Sequence, residues 1–170
     1  MKWTLIKKCV FLTILVFYGS LLLHKINLPA AVDLPRQIKI GETILQGNFD
    51  ILYKNIYSYT EPEQTFYNHH WFSGVIFYLL FQLIGWNGLV IFKVIVFLAA
   101  FTLVFLTALK KADFWLVSAI SLPAIFILRE RTGLRPEVFS YLFIAIYLYL
   151  LVDLDEHPEH KRIFWLIPLQ

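Results

Sequence analysis

The chain alternates between long apolar stretches and short polar connections. The apolar stretches cover residues 9–28, 89–109, 114–128 and 138–152, and a fifth begins at Ile163. At 1.5 Å per residue a helix needs about 20 residues to cross roughly 30 Å of hydrocarbon, so the stretch 114–128 would need flanking residues to complete a crossing. Charged residues are grouped between the stretches, as is typical of membrane-spanning helices and their loops. The pattern predicts an all-α fold, a polytopic transmembrane helix bundle.

The first apolar stretch is preceded by basic residues, namely Lys2, Lys7 and Lys8. A secretory signal begins in the same way, but this apolar run, extended to Leu28, is long for a signal. We therefore interpret it as a retained first helix whose amino terminus the lysines hold in the cytoplasm. The last apolar stretch is cut off at Gln170. This predicts that residues 1–170 are a single membrane domain and the amino-terminal part of a longer protein.

Residues 29–88 hold the most polar part of the chain and predict a large extracytoplasmic first loop with juxtamembrane amphipathic helices. The run from Trp71 to Gly85 is apolar but short, and it ends in the turn-like sequence Gly-Trp-Asn-Gly. Two topologies stay open, because this run could lie along the interface or span the membrane. The interfacial topology is favoured because it places Lys110 and Lys111 in the cytoplasm, whereas a spanning run moves them outside.

Composition supports the membrane assignment. Hydrophobic residues make up 59% of the 170 residues and charged residues 16%, which is more apolar than a soluble domain. The net charge of +3 does not indicate nucleic-acid binding, because the basic residues mark the ends of apolar stretches instead of clustering with exposed aromatics. Cys9 is the single cysteine, which excludes a disulfide within the chain and a site made of several thiolates.

Asp33 is the first candidate for chemistry. It follows the first apolar stretch, and Pro35 would stop the helix near the membrane face. A carboxylate placed there could act as a general base. The alternative is a solvated loop aspartate that pairs with Arg36 and has no catalytic role.

The segment from Arg36 to Gln46 has the pattern of an amphipathic helix. Ile38, Ile44 and Leu45 would share one side, and Gly47 would close the helix. Its basic residues, Arg36 among them, would suit lipid phosphates. A surface helix with a solvated charged face explains the pattern equally well.

Asn68, His69 and His70 form the second candidate group, at the start of the apolar run. Imidazole and amide groups at a membrane interface can bind a phosphate or exchange protons near neutral pH. Adjacent histidines cannot both face one point on a helix unless the backbone turns there. Without such a turn, the group is an ordinary polar and aromatic belt at the interface.

The third group lies between residues 129 and 137, where Arg129, Arg131 and Arg135 occur close together with Gly133 and Pro136. Paired guanidinium donors are suited to a phosphate or pyrophosphate. The competing interpretation is that these charges only orient the chain, which would place the loop in the cytoplasm.

Several short motifs in this chain occur in the order found in a known family. They are an Asp soon after the first helix, Ile-Lys-Ile-Gly-Glu, Tyr-Ser-Tyr-Thr, Asn-His-His-Trp-Phe and Leu-Arg-Pro-Glu-Val-Phe-Ser-Tyr. This order, covering most of residues 33–151, resembles the amino-terminal part of bacterial multi-spanning GT-C glycosyltransferase-like proteins. Those proteins are similar in layout to protein O-mannosyltransferases and lipid A aminoarabinose transferases.

The resemblance implies an enzyme of the bacterial inner membrane that transfers a sugar from a polyprenyl-phosphate donor to a glycan, lipid or protein acceptor on the extracytoplasmic face. Asp33 matches the acidic residue that activates the acceptor. Arg36 and the Asn68-His69-His70 group would line the same cavity. Arg131 and Arg135 would face the donor phosphate.

The first loop departs from the family pattern in its acidic residues. Many relatives have a second acid in the first loop, whereas here the next aspartate is Asp50. The resemblance implies no cofactor, and a divalent metal would find only Asp33 with His69 or His70 as ligands. The alternative function is a non-catalytic membrane protein, a scaffold subunit or a transporter segment, for which Lys93 is the one ionisable residue well inside a stretch.

Overall fold

The computed structural model describes residues 3–24, 33–61, 64–130, 133–157 and 164. The helices are α1 (Leu5–His24), α2 (Asp33–Leu45), α3 (Trp71–Ala108), α4 (Phe114–Leu128) and α5 (Glu137–Glu156), with a short 3-10 turn at Asp50–Leu52. Within these residues the extended pairing is limited to an isolated bridge between Lys54 and Thr65. The all-α prediction is confirmed.

In the part of the chain that the structure describes, three helices are long and apolar enough to cross a membrane, namely Leu5–Leu23, Trp71–Ala108 and Glu137–Glu156. Helix α4 is apolar but has only 15 residues. Each complete stretch predicted from the sequence overlaps a helix, and 114–128 has the same bounds as α4. The stretch predicted over 9–28 begins earlier, at Leu5, and its last four residues lie outside the described part of the chain, as does the start of the fifth stretch at Ile163.

Helix α3 differs most from the prediction of a span over 89–109. It begins at Trp71 and is interrupted at one residue, Gly85, whose φ of 63° and ψ of −168° are not helical. Glycine adopts a positive φ without the steric penalty that a Cβ would impose. Gly85 therefore separates an amino-terminal part, Trp71–Gly85, from a part that continues to Ala108.

The chain forms two compact units. The first contains residues 1–26, 93–132 and 137–170, and therefore α1, the later part of α3, α4 and α5. The second contains residues 27–92 and 133–136, and therefore α2 and the earlier part of α3.

Aromatic contacts fix the directions of the helices in the first unit. The rings of Phe11 and Phe105 are 4.8 Å apart, and those of Tyr18 and Phe101 are 5.4 Å apart. Residue numbers rise along α1 as they fall along α3, so these two helices are antiparallel. Helix α4 runs parallel to α1, because Trp3 lies 5.6 Å from Phe114 and Phe17 lies 6.0 Å from Phe126.

Ion pairs join α5 to the connection that follows α3. Lys110 Nζ lies 2.8 Å from Asp153 Oδ1 and 3.1 Å from Glu156 Oε2, and Lys111 Nζ lies 2.9 Å from Asp155 Oδ2. The hydrogen bond to Asp153 raises the pKa of Lys110 above its ordinary value. Lys7 Nζ lies 5.5 Å from the centroid of the Phe114 ring, and Phe114 follows Lys111 by only three residues. Lys7, Lys110 and Lys111 are therefore at the same end of the first unit.

Helix α4 begins with a side-chain cap. Asp113 Oδ1 accepts hydrogen bonds from the backbone N–H groups of Trp115 and Leu116, at 2.9 and 3.3 Å. Asp113→Ala removes these acceptors, so we expect a loss of about 1 kcal/mol in the free energy of unfolding. Thermal unfolding of the detergent-solubilised protein would measure it, with Asp113→Ser, which keeps an acceptor, as the control. Equal midpoints for the alanine variant and the wild type would contradict the cap.

In the second unit, α2 packs through its apolar side. Ile40, Ile44 and Ile51 form a buried cluster that Leu52 and Val75 extend. The predicted amphipathic helix is confirmed, with one correction: Leu45 is 51% exposed, whereas Ile38 and Ile44 are buried. Helical spacing places Leu45 on the same side as Leu34 and Ile38, but it is the last residue of α2 and lies beyond the buried part of that side.

Gly47 ends α2 as predicted. Its φ is 86°, its N–H donates to the Ile44 carbonyl at 2.9 Å, and the Asn48 N–H donates to the Thr43 carbonyl at 3.1 Å. This pair of bonds is the Schellman arrangement, which satisfies carbonyl groups that have no partner within the helix.

Candidate functional site

Asp33 lies in the first turn of α2 and not in a loop that ends a helix. The prediction that Pro35 stops a helix is wrong, because Pro35 lies in the first turn of the next one. Proline is tolerated there, since the first N–H groups of a helix have no intrahelical partner. A carboxylate in the first turn also interacts favourably with the positive end of the helix dipole.

Two arginines contact the Asp33 carboxylate. Arg36 Nη2 lies 3.5 Å from Oδ1, and Arg135 Nε lies 3.4 Å from Oδ2. The Asp33 side chain is 39% exposed, and both arginines are about half exposed. We call these three residues the Asp–Arg cluster. Its two guanidinium groups carry one positive charge more than Asp33 compensates, and they have N–H donors that can bind an anion.

The two described arginines of the third predicted group belong to different units. Arg135 belongs to the second unit, where the neighbouring Leu134 is fully buried and anchors the connection. Arg129 belongs to the first unit, and its Nε lies 3.2 Å from Glu130 Oε1. Arg131 lies outside the described residues. Of the two described arginines in this group, Arg135 contacts Asp33.

The Asn68-His69-His70 group precedes α3. The backbone turns at His69 and His70, and their ring centroids are 4.0 Å apart. The turn that the sequence argument required is therefore present. Asn68 is 7% exposed, and its side-chain Nδ2 has no hydrogen-bond acceptor within the described part of the chain. A buried amide donor of this kind is costly unless water or a ligand accepts from it.

A direct crossing of two helices lies between the two groups. Gly41 on α2 and Gly74 on α3 are so close that a Cβ on Gly41 would overlap the Gly74 carbonyl. Gln37 also meets Gly74, since a Cβ on Gly74 would lie 2.7 Å from the Gln37 carbonyl oxygen. His70 precedes Gly74 by four residues, and Asp33 precedes Gln37 by four residues, each about 6 Å along a helix.

Tyr57 is a residue to which the sequence argument gave no role. Burial raises the pKa of its phenol, while Arg36 and Lys39 act in the opposite direction. The phenol is therefore within electrostatic range of one arginine of the Asp–Arg cluster. The Tyr-Ser-Tyr-Thr motif was the available signal, but it did not indicate which tyrosine interacts electrostatically with Arg36.

Metal binding has no geometric support in the part of the chain that the structure describes. No group of three His, Cys, Asp or Glu side chains there is close enough to hold a metal ion. The histidine pair and the Asp–Arg cluster each offer a different chemistry, proton exchange or hydrogen bonding for the first and anion binding for the second.

Comparisons of this chain with protein-family models, with curated proteins and with solved structures find no match.

Proposed function

We propose that this chain is a membrane glycosyltransferase-like protein that takes a sugar from a polyprenyl-phosphate donor and transfers it to an acceptor on the extracytoplasmic face. The observation that carries the proposal is the Asp–Arg cluster, which places a carboxylate beside two guanidinium groups. A carboxylate can activate an acceptor hydroxyl, and guanidinium groups can bind the phosphate that leaves. The resemblance in motif order points to the same chemistry.

The reaction is an inverting displacement. Asp33 accepts the proton of the acceptor, whose oxygen forms a bond to the anomeric carbon of the sugar. The bond between that carbon and the phosphate oxygen breaks, and the polyprenyl phosphate leaves with the electron pair. Arg36 and Arg135 stabilise the charge on the leaving phosphate, which is the larger contribution to the rate in such a reaction.

Asn68 and the histidine pair would bind the sugar or the acceptor. Their support is the buried Asn68 amide donor and the turn that brings the two imidazoles together. Hydroxyl groups of a sugar accept and donate hydrogen bonds and would satisfy that amide.

A second function, a non-catalytic membrane scaffold, is favoured by a specific observation. Both oxygens of the Asp33 carboxylate are already in ion pairs, one with each arginine. In this alternative the cluster only ties the connection around Arg135 to the start of α2.

The test is transfer of a radiolabelled sugar from a panel of polyprenyl-phosphate sugars, in membranes from cells that express this protein. The proposal expects incorporation of label that depends on the expressed gene. The matched control is the same membrane without the gene. Absence of incorporation across the panel would favour the scaffold.

A further inference from the structure

The helix directions in the first unit constrain the membrane topology. Helix α1 and the later part of α3 are antiparallel, with Phe11 beside Phe105 and Gly19 beside Leu98. The later part of α3 therefore enters the first unit near Lys93, at the end where α1 finishes. If both helices cross the bilayer, the chain leaves α1 and enters the later part of α3 on the same side of the membrane. Residues 25–92 connect these two points.

Because residues 25–92 begin and end on the same side of the membrane, they cross it an even number of times or not at all. If Trp71–Gly85 crossed, residues 25–70 would have to cross as well. Among the described residues of that segment no helix is long and apolar enough, since α2 has 13 residues and carries Asp33, Arg36 and Lys39. Residues 25–32, which the structure does not describe, number too few to cross alone, since eight residues extend about 12 Å as a helix.

The exposed side chains of Trp71–Gly85 are suited to lipid. Phe72, Leu79 and Leu83 recur at helical spacing on one face and are exposed, Leu83 to 79%. Trp71 and Trp86, both exposed, stand at the two ends of this part of α3. Tryptophan is enriched where hydrocarbon meets the headgroups. The 15 residues extend about 22 Å as a helix, which is less than the hydrocarbon thickness.

We propose that Trp71–Gly85 is an interfacial helix that lies on the extracytoplasmic leaflet and does not cross the membrane. Its exposed face of Phe72, Leu79 and Leu83 contacts the acyl chains of bilayer lipids. The positions of three lysines indicate on which side of the membrane this helix lies. Lys7, Lys110 and Lys111 are at the end of the first unit opposite to the one where α1 finishes, and the positive-inside rule places that lysine-containing end in the cytoplasm. The inference is independent of the proposed function.

Single-cysteine labelling tests the topology. In a Cys9→Ser background, Tyr59→Cys and Asn87→Cys lie on either side of Trp71–Gly85, and both positions are exposed. Lys111→Cys, in the connection after α3, reports the other side of the membrane. We expect a membrane-impermeant maleimide to label positions 59 and 87 from the periplasm and position 111 only in inverted vesicles. Positions 59 and 87 labelled from opposite sides, or position 87 labelled only in detergent, would overturn the proposal.

Spin labelling in vesicles of phosphatidylethanolamine and phosphatidylglycerol tests the lipid contact. A nitroxide at Leu83→Cys should lie about 5–10 Å below the headgroups. Its depth is measured by comparing how strongly oxygen, which partitions into lipid, and a water-soluble nickel chelate enhance the relaxation of the spin label. A nitroxide at Ile95→Cys, exposed on the later part of α3, is the matched control and should lie deeper. A label at position 83 that neither reagent reaches would show that protein covers this face, and a label at the bilayer centre would show a crossing; either result contradicts the proposal.

Discussion

Asp33→Asn is expected to reduce the initial rate of sugar transfer by at least about 100-fold, the contribution typical of a general base. The amide is nearly the same size as the carboxylate, but it cannot accept the proton of the acceptor. It also leaves Arg36 and Arg135 without the charge that holds them 3.5 and 3.4 Å from Asp33. The measurement is label transferred per minute from the active polyprenyl-phosphate sugar, at equal protein levels in the membrane.

Asp50→Asn is the matched control. Asp50 lies in the same unit, its side chain is 66% exposed, and it pairs with Lys54 at 2.6 Å. An exposed pair of this kind contributes little to stability, so this variant should transfer at the wild-type rate. Equal rates for Asp33→Asn and wild type would remove Asp33 from the mechanism.

Arg135→Gln separates phosphate binding from proton transfer. If Arg135 binds the donor phosphate, Arg135→Gln should raise the KM for the donor. If Arg135 only holds the connection between α4 and α5 in place, the variant should instead reduce the amount of protein in the membrane. A donor KM and a protein level both equal to those of the wild type would show that Arg135 does not contact the donor.

Local patterns in the sequence were sufficient for α2 and α4. Residues 114–128 were predicted as an apolar stretch with the bounds that α4 has, and Gly47 ends α2 because a glycine can take a positive φ there. The apolar run was predicted with the start that α3 has, Trp71, but its continuation into the span at 89–109 was not, because Gly-Trp-Asn-Gly has the composition of a turn. Gly85 was interpreted as part of a turn, whereas one non-helical residue is enough to interrupt the helix.

The candidate site was predictable only where its contacts are local. Asp33 and Arg36 are three residues apart, and their pairing was an explicit alternative in the sequence argument. Arg135 is far from Asp33 in sequence, and no local pattern indicates their contact. The motif resemblance singled out Arg135 and not Arg129, which the structure places beside Glu130, but it assigned Arg135 to the donor phosphate and not to a pair with Asp33. The contact of Gly41 with Gly74 gave no signal either, because a glycine within an amphipathic pattern does not indicate its partner.

Gly41→Leu is expected to disrupt the second unit. Glycine within a helix costs about 1 kcal/mol relative to alanine, so helix propensity alone predicts that replacing Gly41 stabilises α2. A Cβ at Gly41, however, would overlap the backbone carbonyl of Gly74, and backbone cannot move aside as the end of a side chain can. Overpacking typically costs about 1–3 kcal/mol, and a leucine against backbone should reach or exceed that range. Limited proteolysis of the connection between α2 and α3 would measure the loss of protection.

Gly41→Ala decides which effect is larger, because alanine adds only the Cβ. Overlap with Gly74 predicts destabilisation, whereas helix propensity predicts stabilisation. Gly47→Ala is the matched control, since a Cβ there meets no neighbouring atom and costs only the strain of a φ of 86°. We expect cleavage to accelerate in the order Gly47→Ala, Gly41→Ala, Gly41→Leu. Wild-type protection in both Gly41 variants would mean that α2 and α3 do not cross at these glycines.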